Sequence, residues 1–124
     1  MSLNVRVEDG RSQTKTLVLE GRLDNDSVGA LDEALDAVLS SAAQVVVFDL
    51  TALEYITSAG LRSIFRAQKA MNAKSGKALL LNPTPQVKKV LDIVKVPELG
   101  VLFRNVQELD AYLDAMQKKV VDGE

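Results

Sequence analysis

The sequence predicts an α/β fold: a mixed, mostly parallel sheet of four to five strands, an antiparallel hairpin at the N-terminus, and about four helices. Three features of the chain predict it. Short, apolar, β-rich runs alternate with longer stretches whose apolar residues recur at helical spacing, the mark of strand–helix–strand crossovers. Before the first helical stretch, two alternating segments flank an Asp-Gly turn, which places one antiparallel pair ahead of those crossovers. The chain has 124 residues, 47% of them hydrophobic, and no linker, internal repeat or low-complexity segment. It therefore reads as one domain over 1–124, long enough to bury about two-thirds of its unfolded surface.

Each element has its own signal. Leu3, Val5 and Val7 alternate with polar residues and predict a half-buried strand over Leu3–Val7. The turn at Glu8–Ser12 leads into a second strand at Thr14–Leu19. After Gly21, Arg22, Leu23 and Asp24, either Asp26 or Ser27 is placed to cap a helix running to about Leu39. Its apolar stripe is Val28, Leu31, Ala34, Leu35, Val38 and Leu39. Val45–Phe48 is a continuous apolar run, as in a strand covered on both faces, with Asp49 expected at its end.

A second helix is predicted from about Ser58 to Asn72, with Gly76 in the closing Lys74-Ser75-Gly76 acting as its terminating glycine. Ala78–Leu81 reads as a buried strand, and Pro83 or Pro85 opens a third helix to about Val94. Val101–Phe103 is a short strand, and a last helix runs from Gln107 to about Lys119.

Composition excludes much chemistry. The chain holds no histidine and no cysteine. That removes disulfides, thiol nucleophiles, imidazole bases and Cys/His metal sites, and no metal site or catalytic group is expected. Fifteen basic and 17 acidic residues give a net charge of −2, and aromatics are 4% with no Trp, so no nucleic-acid partner is expected. No apolar run is long enough to span a membrane and no signal peptide is visible, so a cytoplasmic protein is the expectation.

In a parallel sheet, sites form at the carboxyl ends of strands and at the helix starts beside them. The segment after the most apolar strand is Asp49-Leu50-Thr51-Ala52-Leu53-Glu54-Tyr55-Ile56-Thr57-Ser58-Ala59-Gly60-Leu61. Two readings fit its end. Thr57 or Ser58 is a helix cap, with Ala59 and Gly60 small because the turn packs on the sheet. Alternatively, Ser58 is a phosphoacceptor, where a phosphate would add about two negative charges to a partner-binding surface near free helix amides. Asp24 reads as a capping or turn carboxylate, and Asp49 as a strand-end carboxylate bonding loop amides.

Three blocks resemble the signature segments of the STAS domain, and of its anti-sigma factor antagonists in particular. They are Leu19-Glu20-Gly21-Arg22-Leu23-Asp24, Val46-Val47-Phe48-Asp49-Leu50, and Tyr55-Ile56-Thr57-Ser58-Ala59-Gly60-Leu61. Leu81-Asn82-Pro83-Thr84-Pro85 and Val96-Pro97-Glu98-Leu99 extend the similarity over nearly the whole chain. The resemblance implies a regulator that binds an anti-sigma factor serine kinase and is switched off by phosphorylation at Ser58. Asp24 matches an aspartate that lies near that serine in the family. Thr57 stands where many members carry Asp, a departure that leaves Thr57 as the alternative acceptor to Ser58. The partner surface is expected to comprise Asp24, Thr57, Ser58, Arg62 and Arg66. No cofactor is implied, because ATP and Mg²⁺ belong to the kinase. The family also implies an alternative role, as accessory subunit of a lipid-transport ABC system.

Two rivals fare worse. A receiver domain needs an acid pair after its first strand to hold Mg²⁺, whereas here a turn and a second strand follow. A serine hydrolase needs a base for Ser58, and the chain has neither histidine nor a Gly-x-Ser-x-Gly elbow. No enzymatic activity is expected.

Overall fold

A computed structural model describes residues 3–10, 13–94, 102–103, 107–108, 111 and 115. Leu3–Asp9 (β1) and Thr14–Leu23 (β2) form the expected antiparallel hairpin. Then follow Val28–Leu39 (α1), Val45–Ile56 (β3), Ser58–Ala73 (α2), Lys77–Leu81 (β4), Pro85–Val94 (α3) and Leu102–Phe103 (β5). The five strands lie in sequence order, and β2–β3, β3–β4 and β4–β5 all pair parallel. Of the predicted fourth helix, Gln107, Glu108, Ala111 and Ala115 are helical, and the remainder lies outside the described residues.

The core follows from strand alternation. Leu17, Leu19 and Leu23 of β2, Val46, Phe48 and Leu50 of β3, and Ala78 and Leu80 of β4 point to one face. The helical stripes pack onto it through Leu31, Leu35 and Val38 of α1, Leu61, Ile64 and Met71 of α2, and Val87 and Leu91 of α3. Each large side chain so buried contributes about 1.5–3 kcal/mol of transfer free energy. Val45, Val47, Leu79 and Leu81, on the opposite face, are buried too, so the central strands are covered on both sides as their composition predicts.

Three local expectations are corrected. The third strand does not stop at Asp49 but continues to Ile56, because β2 also continues, to Leu23, and the two stay paired. Register shifts interrupt the pairing after Val18 and after Gly21. At the second shift Gly21 has φ 105°, a conformation open to a residue without Cβ, and this bulge re-aims the last residues of β2. The residue that ends α2 in the left-handed conformation is Ser75, φ 61°, and not Gly76. The Ser75 and Gly76 amides close back on the Asn72 and Met71 carbonyls in a Schellman arrangement. Gly76 is required for another reason: a Cβ there would lie 2.6 Å from the Gln44 carbonyl oxygen.

Side chains brace the helix ends. Lys74 Nζ donates to the Leu39 and Ser41 carbonyls at the end of α1, both at 3.1 Å. Thr84 Oγ1 accepts from the Val87 amide and donates to the Leu53 carbonyl at 2.8 Å, capping α3 and tying it to β3, with Pro85 as its first residue. No described helix is long and apolar enough to cross a membrane.

Candidate functional site

The extension of β2 and β3 brings the expected site residues to one end of the sheet. Leu23 pairs with Ile56, and the Thr57 amide donates to the Leu23 carbonyl at 3.0 Å. Asp24 and Ser58 each follow one residue beyond that bond. Two of the blocks singled out in the sequence, 19–24 and 55–61, are thereby adjacent.

Ser58 is the first residue of α2 and is exposed, and its hydroxyl makes no hydrogen bond among the described residues. The residues after it turn inward: Ala59, Gly60 and Leu61 are all buried. A Cβ on Gly60 would meet Leu23 Cγ at 2.6 Å and Ile56 Cγ1 at 3.0 Å. Gly60 is thus the contact at which α2 lies down on the sheet, and it fixes the height at which Ser58 is displayed.

Capping is not what the two hydroxyls do. Thr57 holds the N-cap position with extended backbone, φ −107° and ψ 176°, yet its side chain makes no cap bond. Its Oγ1 leans instead toward the Leu23 carbonyl at 3.5 Å, and the residue is half-buried. The Leu61 amide closes the first turn onto the Thr57 carbonyl. The amides of Ser58, Ala59 and Gly60 lie before that bond, with no carbonyl four residues back inside the helix.

Asp24 is occupied with its own turn. Its Oδ1 accepts from the Asp26 amide at 3.1 Å, the Ser27 amide at 3.0 Å and Ser27 Oγ at 3.1 Å. The single Ser27 Oγ proton is shared between that carboxylate oxygen and the Arg22 carbonyl at 2.8 Å, and Ser27 Oγ accepts from the Asp24 amide at 2.9 Å. Partial desolvation favours the protonated carboxyl. The bonds from Ser27 and Asp26, together with the Arg22 charge, outweigh it and hold Asp24 below its ordinary value of 3.8. Asp49, within β3, accepts from the Thr51 amide and hydroxyl and so stabilises the strand's continuation instead of ending it.

The two arginines part company. Arg62 is exposed and has no charged partner among the described residues. Arg66 is committed to α1, donating to Asp36 at 2.8 Å and to Asp32 at 3.2 Å, while buried Ser63 donates to the same Asp32 oxygen at 2.6 Å. Desolvation works against the charged guanidinium, but the two carboxylates dominate and raise its affinity for the proton. Arg66 thus braces α2 against α1 while remaining exposed on the face expected to meet a partner.

Arg22 and Tyr55 were missed. The guanidinium of Arg22 lies 4.3 Å from the centre of the Tyr55 ring, and Tyr55 is 41% exposed. With Glu54, Gln86, Lys89 and Val90 they line an open groove of about 500 Å³ between the sheet end and α3. Only the β2–β3 register reveals this pair, and two bulges hide that register from the sequence.

The family model of the STAS domain matches residues 4–109. The chain belongs to the STAS domain family. Among curated STAS relatives, it is 32% identical over 75 residues to the putative anti-sigma factor antagonist BtrV of Bordetella bronchiseptica, a match covering 60% of this chain and 65% of that protein. It is 24% identical over 89 residues to the anti-sigma F factor antagonist of Lysinibacillus sphaericus, covering 71% and 76% of the two. Of solved STAS structures, the anti-sigma factor antagonist SpoIIAA in its unphosphorylated form superposes with a TM-score of 0.78 at 19% identity, over 90% of this chain and 97% of that one. The phosphorylated form of SpoIIAA from Bacillus superposes with a TM-score of 0.71 at 19% identity, over 89% and 99%. At that identity the structures establish a shared STAS fold.

Proposed function

We propose that this STAS domain is an anti-sigma factor antagonist. In this reading its unphosphorylated form binds an anti-sigma factor that is also a serine kinase, and phosphorylation at Ser58 releases it. The observation that carries the reading is the display of Ser58: an exposed, unbonded hydroxyl on the first turn of a helix whose next residues are locked into the core. A kinase reaches such a hydroxyl without unfolding the domain. Thr57 is the poorer acceptor, being half-buried with its hydroxyl turned to the Leu23 carbonyl. The names of the curated relatives, and the two phosphorylation states in which SpoIIAA has been solved, support the same reading.

The off-switch is electrostatic. A phosphate on Ser58 adds about two negative charges and three acceptor oxygens. It sits beside free amides of the first turn, which tolerate it, so the fold survives. A partner packed over Ser58 would have to desolvate that charge, and binding fails. The surface presented to the partner comprises Thr57, Ser58 and Arg62, with Asp24 shaping the adjoining turn and the Arg22–Tyr55 pair at its margin. Arg66 supports it by holding α2 to α1. The chain performs no catalysis in this scheme, and the kinase supplies ATP, Mg²⁺ and the base.

Pull-down of an anti-sigma serine kinase from the source cell by the tagged chain tests the proposal. Wild type and Ser58→Ala should bind. Ser58→Glu, with unchanged far-UV circular dichroism, should bind at least about tenfold more weakly, about 1.4 kcal/mol. A folded Ser58→Glu that binds as tightly as wild type contradicts the charge mechanism. Capture of an ABC ATPase in place of a kinase would move the chain to the lipid-transport branch of the family.

A further inference from the structure

β1 is an edge strand: it pairs with β2 on one side and, among the described residues, with no strand on the other. The hairpin fixes which backbone groups face outward. The Gly10 amide donates to the Thr14 carbonyl at 2.7 Å, in phase with the register that pairs Asp9 with Lys15. In an antiparallel ladder the bonded pairs alternate, so Asn4, Arg6 and Glu8 bond inward to β2. Leu3, Val5, Val7 and Asp9 therefore direct amide and carbonyl away from the sheet. Val7, at the middle of this edge, is 42% exposed.

We propose that β1 pairs antiparallel with β1 of a second copy of this chain, about a two-fold axis at Val7, joining two sheets into one. The occupant follows from charge order. With the axis at Val7, Val7 meets Val7 of the second copy and Val5 meets Asp9, all with outward backbone groups, so each such pair exchanges two main-chain bonds. The side chains between them are Arg6 and Glu8, which face Glu8 and Arg6 of the second copy. These are non-bonded positions, where side chains approach most closely and opposite charges attract. Moving the axis to Arg6 sets arginine against arginine, and moving it to Glu8 sets glutamate against glutamate. Moving it to Val5 sets Arg6 against Asn4 and gives Glu8 no opposite charge to face.

Charges on an edge strand usually discourage pairing, because a foreign strand presents the wrong partners. Here Arg6 and Glu8 already bond to each other at 3.0 Å on one face of the strand. Their order makes the edge complementary to itself in a single register. The axis also sets Val7 against its symmetry mate and removes its apolar surface from water. Ser58 lies at the start of α2, off this edge, so both copies keep their site free.

Sedimentation velocity of the full chain at up to about 1 mM, high enough to populate a weak complex, tests this. Wild type should dimerise reversibly. Arg6→Glu alone and Glu8→Arg alone should each raise the dissociation constant by about tenfold or more, since both cross-strand pairs become repulsive. An equimolar mixture of the two variants should dimerise again, because each supplies the charges the other needs. In wild type, amide exchange at Val5, Val7 and Asp9 should slow with concentration, while Arg6 and Glu8 amides stay unchanged. A wild type that remains monomeric throughout overturns the proposal. So do single variants that dimerise as well as wild type, or a mixture that stays monomeric.

Discussion

Ser58 is shaped more by its neighbours than by its own contacts. Gly60 is the clearest case. Its helical backbone would accept alanine and even gain about 1 kcal/mol of helix propensity. The added Cβ, however, falls 2.6 Å from Leu23 Cγ, and Leu23 is fully buried. Overpacking costs about 1–3 kcal/mol, so Gly60→Ala should lower the urea midpoint, with a net loss of up to about 2 kcal/mol after the propensity gain. An unchanged or higher midpoint would mean that α2 is not seated on Leu23. Asp24 acts through protons. Its folded value is depressed below 3.8, so the stability it lends is present above that value and lost as pH falls through the folded one. Asp24→Ala should therefore be less stable than wild type near neutrality, and the two unfolding midpoints should converge in acid. Midpoints differing equally at all pH values would exclude the carboxylate as the cause.

The ends of α2 carry two distinct devices. Its start is held by packing and by the Thr57–Leu23 backbone bond, without a side-chain cap. Its end places Ser75 in the left-handed region, where a Cβ is strained and glycine is not. Ser75→Gly should therefore stabilise the domain by about 0.5–1 kcal/mol, read as a raised melting temperature; a lowered one would show that the serine contributes something beyond the turn. The sequence misleads at this terminus because Gly76 is the obvious stop signal. Glycine stands there for the close approach of Gln44, one position after the strained residue. The length of β3 was hidden for a related reason. Beyond Leu50 its burial no longer alternates, since the bulges in β2 re-phase the pairing, and Thr51–Ile56 then looks like a loop. Arg22 and Tyr55 were invisible as a pair on the same account. The ion pairs of Arg66 with Asp32 and Asp36 could not be read from spacing, because those carboxylates stand on another helix.

The architecture as a whole was legible because each element buries a stripe whose period is written in the chain: period two in β1, continuous apolarity in β3 and β4, and helical spacing in α1 and α3. The start of α2 at Ser58 was legible because a hydroxyl followed by two small residues marks a helix start pressed against a sheet. The absence of histidine and cysteine is coherent with a domain that is a substrate of another protein's chemistry. That is the central claim, and site-resolved labelling tests it most directly. The chain is incubated with its cognate serine kinase and ATP, and the phosphopeptides are mapped by mass spectrometry beside Ser58→Ala and Thr57→Ala. The expected result is one phosphate on Ser58, retained in Thr57→Ala and lost in Ser58→Ala. Undiminished labelling of Ser58→Ala would contradict the account.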